Sequence, residues 1–156
     1  MPFQKTSFPD IIRIVLSGLA GGFFSEAFMG ALFVSGPVQT ILYNPSTQSQ
    51  LYREITPTRD LPLSIVGIIL LSIAHSWLYR IFFPAIPGRT WYTKGAFWGF
   101  TIWLLYWVFQ EWFVYRTLLL EPLLLNAFEL VILLCGSVIE GTVIAFFFRK
   151  AEYAAS

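Results

Sequence analysis

The segment PLLLNAFELVILLCGSVIEGTVIAFFF, residues 122–148, decides the structural class of this protein. It is almost entirely apolar, and its only acidic or basic side chains are Glu129 and Glu140. A helix that crosses a bilayer needs ~20 predominantly apolar residues, because the hydrocarbon core is ~30 Å thick and each helical residue rises ~1.5 Å. The segment exceeds that length and therefore predicts a membrane-spanning helix.

Three further apolar segments of comparable length precede this one. We expect transmembrane helices at about residues 11–35, 61–83, 94–116 and 122–149. All nine prolines lie between these segments or at their first turns, where proline does not interrupt a helix. The sequence predicts an all-α integral membrane protein: a single transmembrane domain, residues 1–156, in which four helices form an up-down bundle.

The overall composition excludes several other classes of protein. Hydrophobic residues make up 56% of the chain and charged residues 12%, whereas soluble domains carry ~25% charged residues. The net charge of +1 gives no basic footprint for nucleic acid, so no nucleic-acid partner is expected. A single cysteine and a single histidine exclude an internal disulfide framework and a conventional zinc site.

The distribution of basic residues predicts the orientation in the membrane. Positive residues favour the cytoplasmic side of short connections. Seven basic residues lie near the two chain ends or in the connection between the second and third helices: Lys5, Arg13, Arg80, Arg89, Lys94, Arg149 and Lys150. Three lie in the connections on the other side of the membrane: Arg53, Arg59 and Arg116. Both termini are therefore expected in the cytoplasm, residues 36–60 form an outward loop, and the protein is multi-pass in the cytoplasmic (inner) membrane or its equivalent.

Glu26, His75, Glu129 and Glu140 lie well inside the apolar segments, and Gln110 and Glu111 lie towards the end of the third. An ionisable residue costs at least ~2.5–3.5 kcal/mol at the bilayer centre, so it usually faces the bundle interior. We predict that the first four form a buried polar cluster or a ligand or proton site. His75 and Glu140 lie at similar depth, so they are candidates for a direct pair.

Glycine spacing predicts where the helices approach each other. Gly18, Gly22, Glu26 and Gly30 recur every four residues and share one stripe, and Gly136 has the same packing role in the fourth helix. On such a seam Glu26 has three interpretations. It joins two helices by hydrogen bonding, it handles a proton or cation, or it contacts a cofactor or substrate.

Two features of the sequence favour a bound cofactor. His75 is the only candidate metal ligand, and its imidazole could be structural, handle protons or ligate a tetrapyrrole. Trp103 and Trp107 lie in the middle of the third helix, where they would contact a flat tetrapyrrole, carotenoid or quinone. The alternative is that both are ordinary core or lipid-facing aromatics.

Three functions are compatible with this pattern. The first is a non-catalytic subunit or partner of a larger membrane complex, with lipid, other membrane subunits or a second copy as partners. The second is a proton-coupled small transporter or channel that uses buried carboxylates. The third is a haem-, pigment- or quinone-binding membrane protein. Motifs of nucleotide-binding and hydrolytic enzymes are absent from the sequence, which argues against an enzyme.

Overall fold

The computed structural model of the protein describes residues 8–55 and 60–153. Over these residues the chain is helical and has no strands. The α-helices are α1 (Phe8–Phe33), α2 (Gly36–Leu42), α3 (Gln50–Ile55), α4 (Leu61–Phe82), α5 (Trp91–Ile102) and α6 (Leu123–Tyr153). Of the basic residues counted above, Lys5 and Arg59 lie outside the described residues.

Three helices are long and apolar enough to cross a membrane. Within the described residues these are Phe8–Phe33, Leu61–Ala85 and Leu123–Arg149, with mean hydropathies of 1.5, 1.9 and 2.3. Local sequence explains where α4 begins, because Asp60 accepts a hydrogen bond from the backbone N–H of Leu63 at 3.0 Å, and Pro62 occupies the first turn. The chain is therefore an all-helical protein of membrane type.

The helix expected at 94–116 is helical throughout but is not a single α-helix. After α5 it continues as two π-helical segments, Trp103–Trp107 and Gln110–Leu118. In these segments the backbone N–H bonds five residues back, as from Leu119 to Val114 at 3.0 Å. The wider turn rotates the side chains that follow relative to those of a regular α-helix.

The helices pack in the order α4, α1, α6, α5. Glycines allow each close approach: a Cβ added at Gly18 would lie 2.7 Å from the Cα of Ile73 on α4, and one at Gly95 would lie 2.7 Å from the Cα of Thr142 on α6. Gly21 allows α6 to approach α1. Helices α4 and α5 meet at one end, where the rings of Tyr79 and Trp98 are 5.9 Å apart.

The predicted packing glycines divide into two groups. Gly18 and Gly22 pack on α4, and Gly136 packs on Met29 of α1. Gly30 does not take part, because a Cβ there would meet nothing within 4 Å.

The two ends of the bundle differ in charge. At the end that we call the basic end, Arg80 of α4 lies 3.8 Å from Asp10 of α1, and Arg13 lies over the ring of Phe148. At the opposite end, which carries Glu111, Glu121 and Glu129 and which we call the acidic end, α2 buries Val38 and Leu42 against α6. Residues 36–49 are therefore not a free loop but pack on this end of the bundle.

Candidate functional site

The structure brings His75 and Glu140 together. His75 Nδ1 lies 3.0 Å from Glu140 Oε1, and the two side chains are 12% and 8% exposed. The pair bridges α4 and α6 across the level of Gly21, where a Cβ would lie 3.2 Å from Glu140 Cγ. A glycine in α1 thus leaves the space through which Glu140 reaches α4.

A second polar contact lies next to this pair. The hydroxyls of Ser17 on α1 and Ser76 on α4 are 2.6 Å apart, and both residues are fully buried. Each hydroxyl thereby gains a partner in an interior where an unpaired polar group is costly. The interface of α1 with α4 is therefore polar at its centre.

Glu26 lies on a different part of α1. It borders a laterally open groove of about 590 Å³ between α1 and α4, together with Gly22 and Ser72. Other groove residues are apolar, namely Leu19, Phe23, Ala27, Ile65, Ile68 and Ile69. Glu26 therefore faces α4 from the same stripe as Gly22, whereas Glu140 approaches α1 at Gly21.

Glu129 belongs to a separate site. It lies on α6 roughly three turns from Glu140, about 16 Å along the axis at ~1.5 Å per residue. Carboxylate oxygens of Glu111, Glu121 and Glu129 all lie within 4.8 Å of one another. The four residues expected to form one polar cluster are thus distributed over different levels of the bundle.

Asn126 hydrogen-bonds two carboxylates of the acidic cluster, which consists of Glu111, Glu121 and Glu129. Its Nδ2 donates to Glu111 Oε2 at 2.9 Å and to Glu121 Oε2 at 3.2 Å. Glu111 is 3% exposed, and Glu121 and Asn126 are each 1% exposed. These carboxylates are close enough to bind one cation jointly, so His75 is not the only candidate metal ligand.

Local backbone geometry places Glu121 in this cluster. Leu120 adopts a positive φ of 55°, which residues other than glycine rarely do. The chain reverses direction there, between the π-helical segment and α6. Arg116 Nη1 donates to the main-chain oxygen of Glu121 at 2.9 Å. Burial raises the pKa of the Glu121 carboxyl, while hydrogen bonds from Gln48 and Asn126 oppose that rise.

The segment between α2 and α3 covers the acidic cluster. Gln48 hydrogen-bonds the side chain of Glu121 and the main-chain oxygen of Leu42. Ser49 Oγ donates to the main-chain oxygen of Leu119 at 2.7 Å. The side-chain oxygens Gln48 Oε1 and Asn126 Oδ1 are buried and have no hydrogen-bond partner among the described residues.

Glu111, Glu121 and Asn126 are site residues that the sequence alone did not predict. One signal was available: Glu111 and Glu129 are equally far from residue 120, so a helical hairpin turning there places them at the same depth. The burial of Glu121 had no comparable signal, because it depends on the conformation of Leu120.

The two central tryptophans contact the protein's own residues. Trp103 Nε1 donates to the main-chain oxygen of Leu130 on α6 at 2.8 Å. Trp103 and Trp107 both pack against the apolar cluster that contains Met29 and Leu133. Neither lines the groove between α1 and α4.

Comparison of the chain with protein-family models, curated proteins and solved structures finds no match in any of the three.

Proposed function

We propose that this protein is a non-catalytic subunit of a larger membrane complex, and that it binds a partner helix through α4 and the groove between α1 and α4. The observation that carries the proposal is the isolation of α4 at the acidic end. The first buried residue of this helix is Ser72, although the helix begins at Leu61.

The other two candidate spans are better packed than α4. In their most apolar windows 33% of residues are buried in α1 and 44% in α6, against 11% in α4. Transmembrane helices associate mainly by close van der Waals packing and polar contacts, since lipid already solvates their apolar side chains. A helix half without such packing leaves a surface that a partner helix can occupy.

The chemistry of the groove defines the partner. Its walls are apolar, and Glu26 and Ser72 supply one carboxyl and one hydroxyl group. A transmembrane helix that presents small residues to this groove would complement its apolar surface. A second copy of this chain is one such partner.

The proposed topology is four membrane spans with both termini in the cytoplasm. The helical course from Trp91 to Leu118 supports the fourth span. The basic end supports the orientation, since Lys94 lies over the ring of Phe83 and Arg149 over that of Phe146 at the same end as Arg13 and Arg80. Labelling of cysteines introduced into residues 36–55 should occur from outside only, and labelling from the cytoplasm would refute this orientation.

Site-specific photo-crosslinking in native membranes tests the docking surface. A photoreactive amino acid at Ile65 or Ile69 should give one discrete protein adduct. The control position is Val131, which is 60% exposed on α6 and should react with lipid only. An adduct of twice the chain mass identifies self-association, and lipid adducts at all three positions would refute the proposal.

The hydrogen bond between His75 and Glu140 favours one further candidate, proton-coupled transport. A buried imidazole–carboxylate pair can hold and release a proton. Solute flux into vesicles that is driven by a proton gradient and is lost in the Glu140→Gln variant would support proton-coupled transport. A carboxylate bonded to one ring nitrogen is also the contact that orients the other nitrogen of a metal-bound histidine, so Nε2 of His75 is a candidate metal ligand. A visible absorption spectrum of the purified protein tests the haem or pigment interpretation.

A further inference from the structure

We propose that the acidic cluster, Glu111, Glu121 and Glu129, binds one hard divalent cation of the calcium type, together with the amide oxygens of Asn126 and Gln48. This site is separate from the groove and does not depend on the proposed function.

The spacing of the carboxylates fits one ion. Protein oxygens bind Ca²⁺ at ~2.3–2.6 Å, so two ligands on opposite sides of the ion are ~5 Å apart. The oxygens of the three glutamates all lie within 4.8 Å of one another. They come from the π-helical segment, the connection and α6, so that one ion would contact three parts of the chain.

The unpartnered amide oxygens provide independent support for a ligand. Asn126 is 1% exposed, its Nδ2 bonds Glu111 and Glu121, and its Oδ1 has no partner among the described residues. A half-turn of this amide exchanges the nitrogen and the oxygen, which would place an acceptor beside the two carboxylates. Such an acceptor repels carboxylates but ligates a cation.

Gln48 adds a second oxygen of the same kind. Its side chain hydrogen-bonds Glu121, and its buried Oε1 has no partner in the described part of the chain. Buried polar atoms are nearly always paired, and a pair of amide oxygens left over at one carboxylate cluster suggests a common partner. A cation among the carboxylates supplies that partner.

The donor set selects the class of ion. All five side chains offer oxygen, and hard cations such as Ca²⁺, Mg²⁺ and Mn²⁺ prefer oxygen ligands over nitrogen or sulfur. Mg²⁺ usually keeps several waters, whereas Ca²⁺ accepts many protein oxygens in irregular geometry. Glu111 and Glu121 are 3% and 1% exposed, which leaves little room for water and favours Ca²⁺.

Charge balance favours a divalent ion over a monovalent one. With all three carboxyls ionised, as cation binding requires, the cluster carries three negative charges, and Arg116 bonds the main-chain oxygen of Glu121 rather than a carboxylate. An ion of charge two together with this guanidinium compensates the cluster. The bound ion would fasten the segment that contains Gln48 to α6.

The test uses the full chain, purified in detergent and freed of metal with a chelator. Equilibrium dialysis against radioactive Ca²⁺, up to about 10⁻³ M, should show one ion per chain. Thermal unfolding should shift upward with Ca²⁺ and shift less with Mg²⁺. Glu129→Gln and Asn126→Ala should each weaken binding at least ~10-fold.

Two controls keep the result interpretable. Glu140→Gln removes a buried carboxyl outside the cluster and should bind Ca²⁺ as the wild type does. If Glu129→Gln fails to fold, Asn126→Asp provides a second test. It keeps an oxygen ligand and should therefore retain Ca²⁺ binding. Absence of bound Ca²⁺ in the wild type, or equal binding by folded Glu129→Gln, would overturn the proposal. Stabilisation by acid without any effect of Ca²⁺ would also overturn it, because protons alone would then satisfy the cluster.

Discussion

Replacing Gly99 with alanine should separate α5 from α6. A Cβ at this position would lie 2.5 Å from the Cα of Val138 and 2.7 Å from the main-chain carbon of Ser137, and it would contact the main-chain oxygen of Ser137 still more closely. Carbon atoms pack at ~3.5–4.0 Å, so the two backbones must move apart by roughly 1 Å. Neither neighbour is a flexible side-chain end, so the clash cannot be relieved by a change of rotamer.

The expected cost of Gly99→Ala is at the upper end of overpacking penalties, about 3 kcal/mol. For a chain of this size that free energy lowers Tm by roughly 6–12 °C. The matched control is Gly67→Ala on α4, where a Cβ would meet nothing within 4 Å. There the higher helix propensity of alanine should stabilise the protein by about 0.5–1 kcal/mol.

Thermal unfolding of both variants in the same detergent, followed by circular dichroism, provides the measurement. Gly30→Ala serves as a second open-site control, since an added Cβ there also meets nothing within 4 Å. If Gly99→Ala unfolds at the wild-type temperature, α5 and α6 do not approach as closely as described. A loss of equal size in Gly67→Ala would show that the effect is not one of packing.

Two further predictions concern buried hydrogen bonds. In a double-mutant cycle, His75→Gln and Glu140→Gln should be non-additive by about 0.5–3 kcal/mol, whereas Glu129→Gln and Glu140→Gln should add within ~0.5 kcal/mol because the two sites are far apart. Additivity of the first pair would refute a coupled contact. Trp103→Phe keeps the ring packing but loses the hydrogen bond to the main-chain oxygen of Leu130, so chemical denaturation should show a loss of about 1 kcal/mol. Unchanged stability would mean that this bond contributes nothing.

The sequence by itself determined where the long helices lie, but it did not predict the short helices α2 and α3 inside the expected loop 36–60. The segment expected at 61–83 forms a helix at Leu61–Phe82, and that expected at 122–149 forms one at Leu123–Tyr153. These are local properties, because apolar length, proline positions and the Asp60 cap act within a few residues of the chain. The same local rules did not predict the π-helical winding after Ile102, since nothing in the residue types there specifies a wider turn.

Tertiary structure alone decided which side chains meet. Residue spacing places Glu129 and Glu140 on one face of α6, but it does not say that the first joins Glu111 and the second joins His75. Which neighbour a helix face meets depends on the rotation of each helix about its axis and on where two backbones come close enough to touch. Those quantities are set by the packing of all the helices together, so no single stretch of sequence contains them.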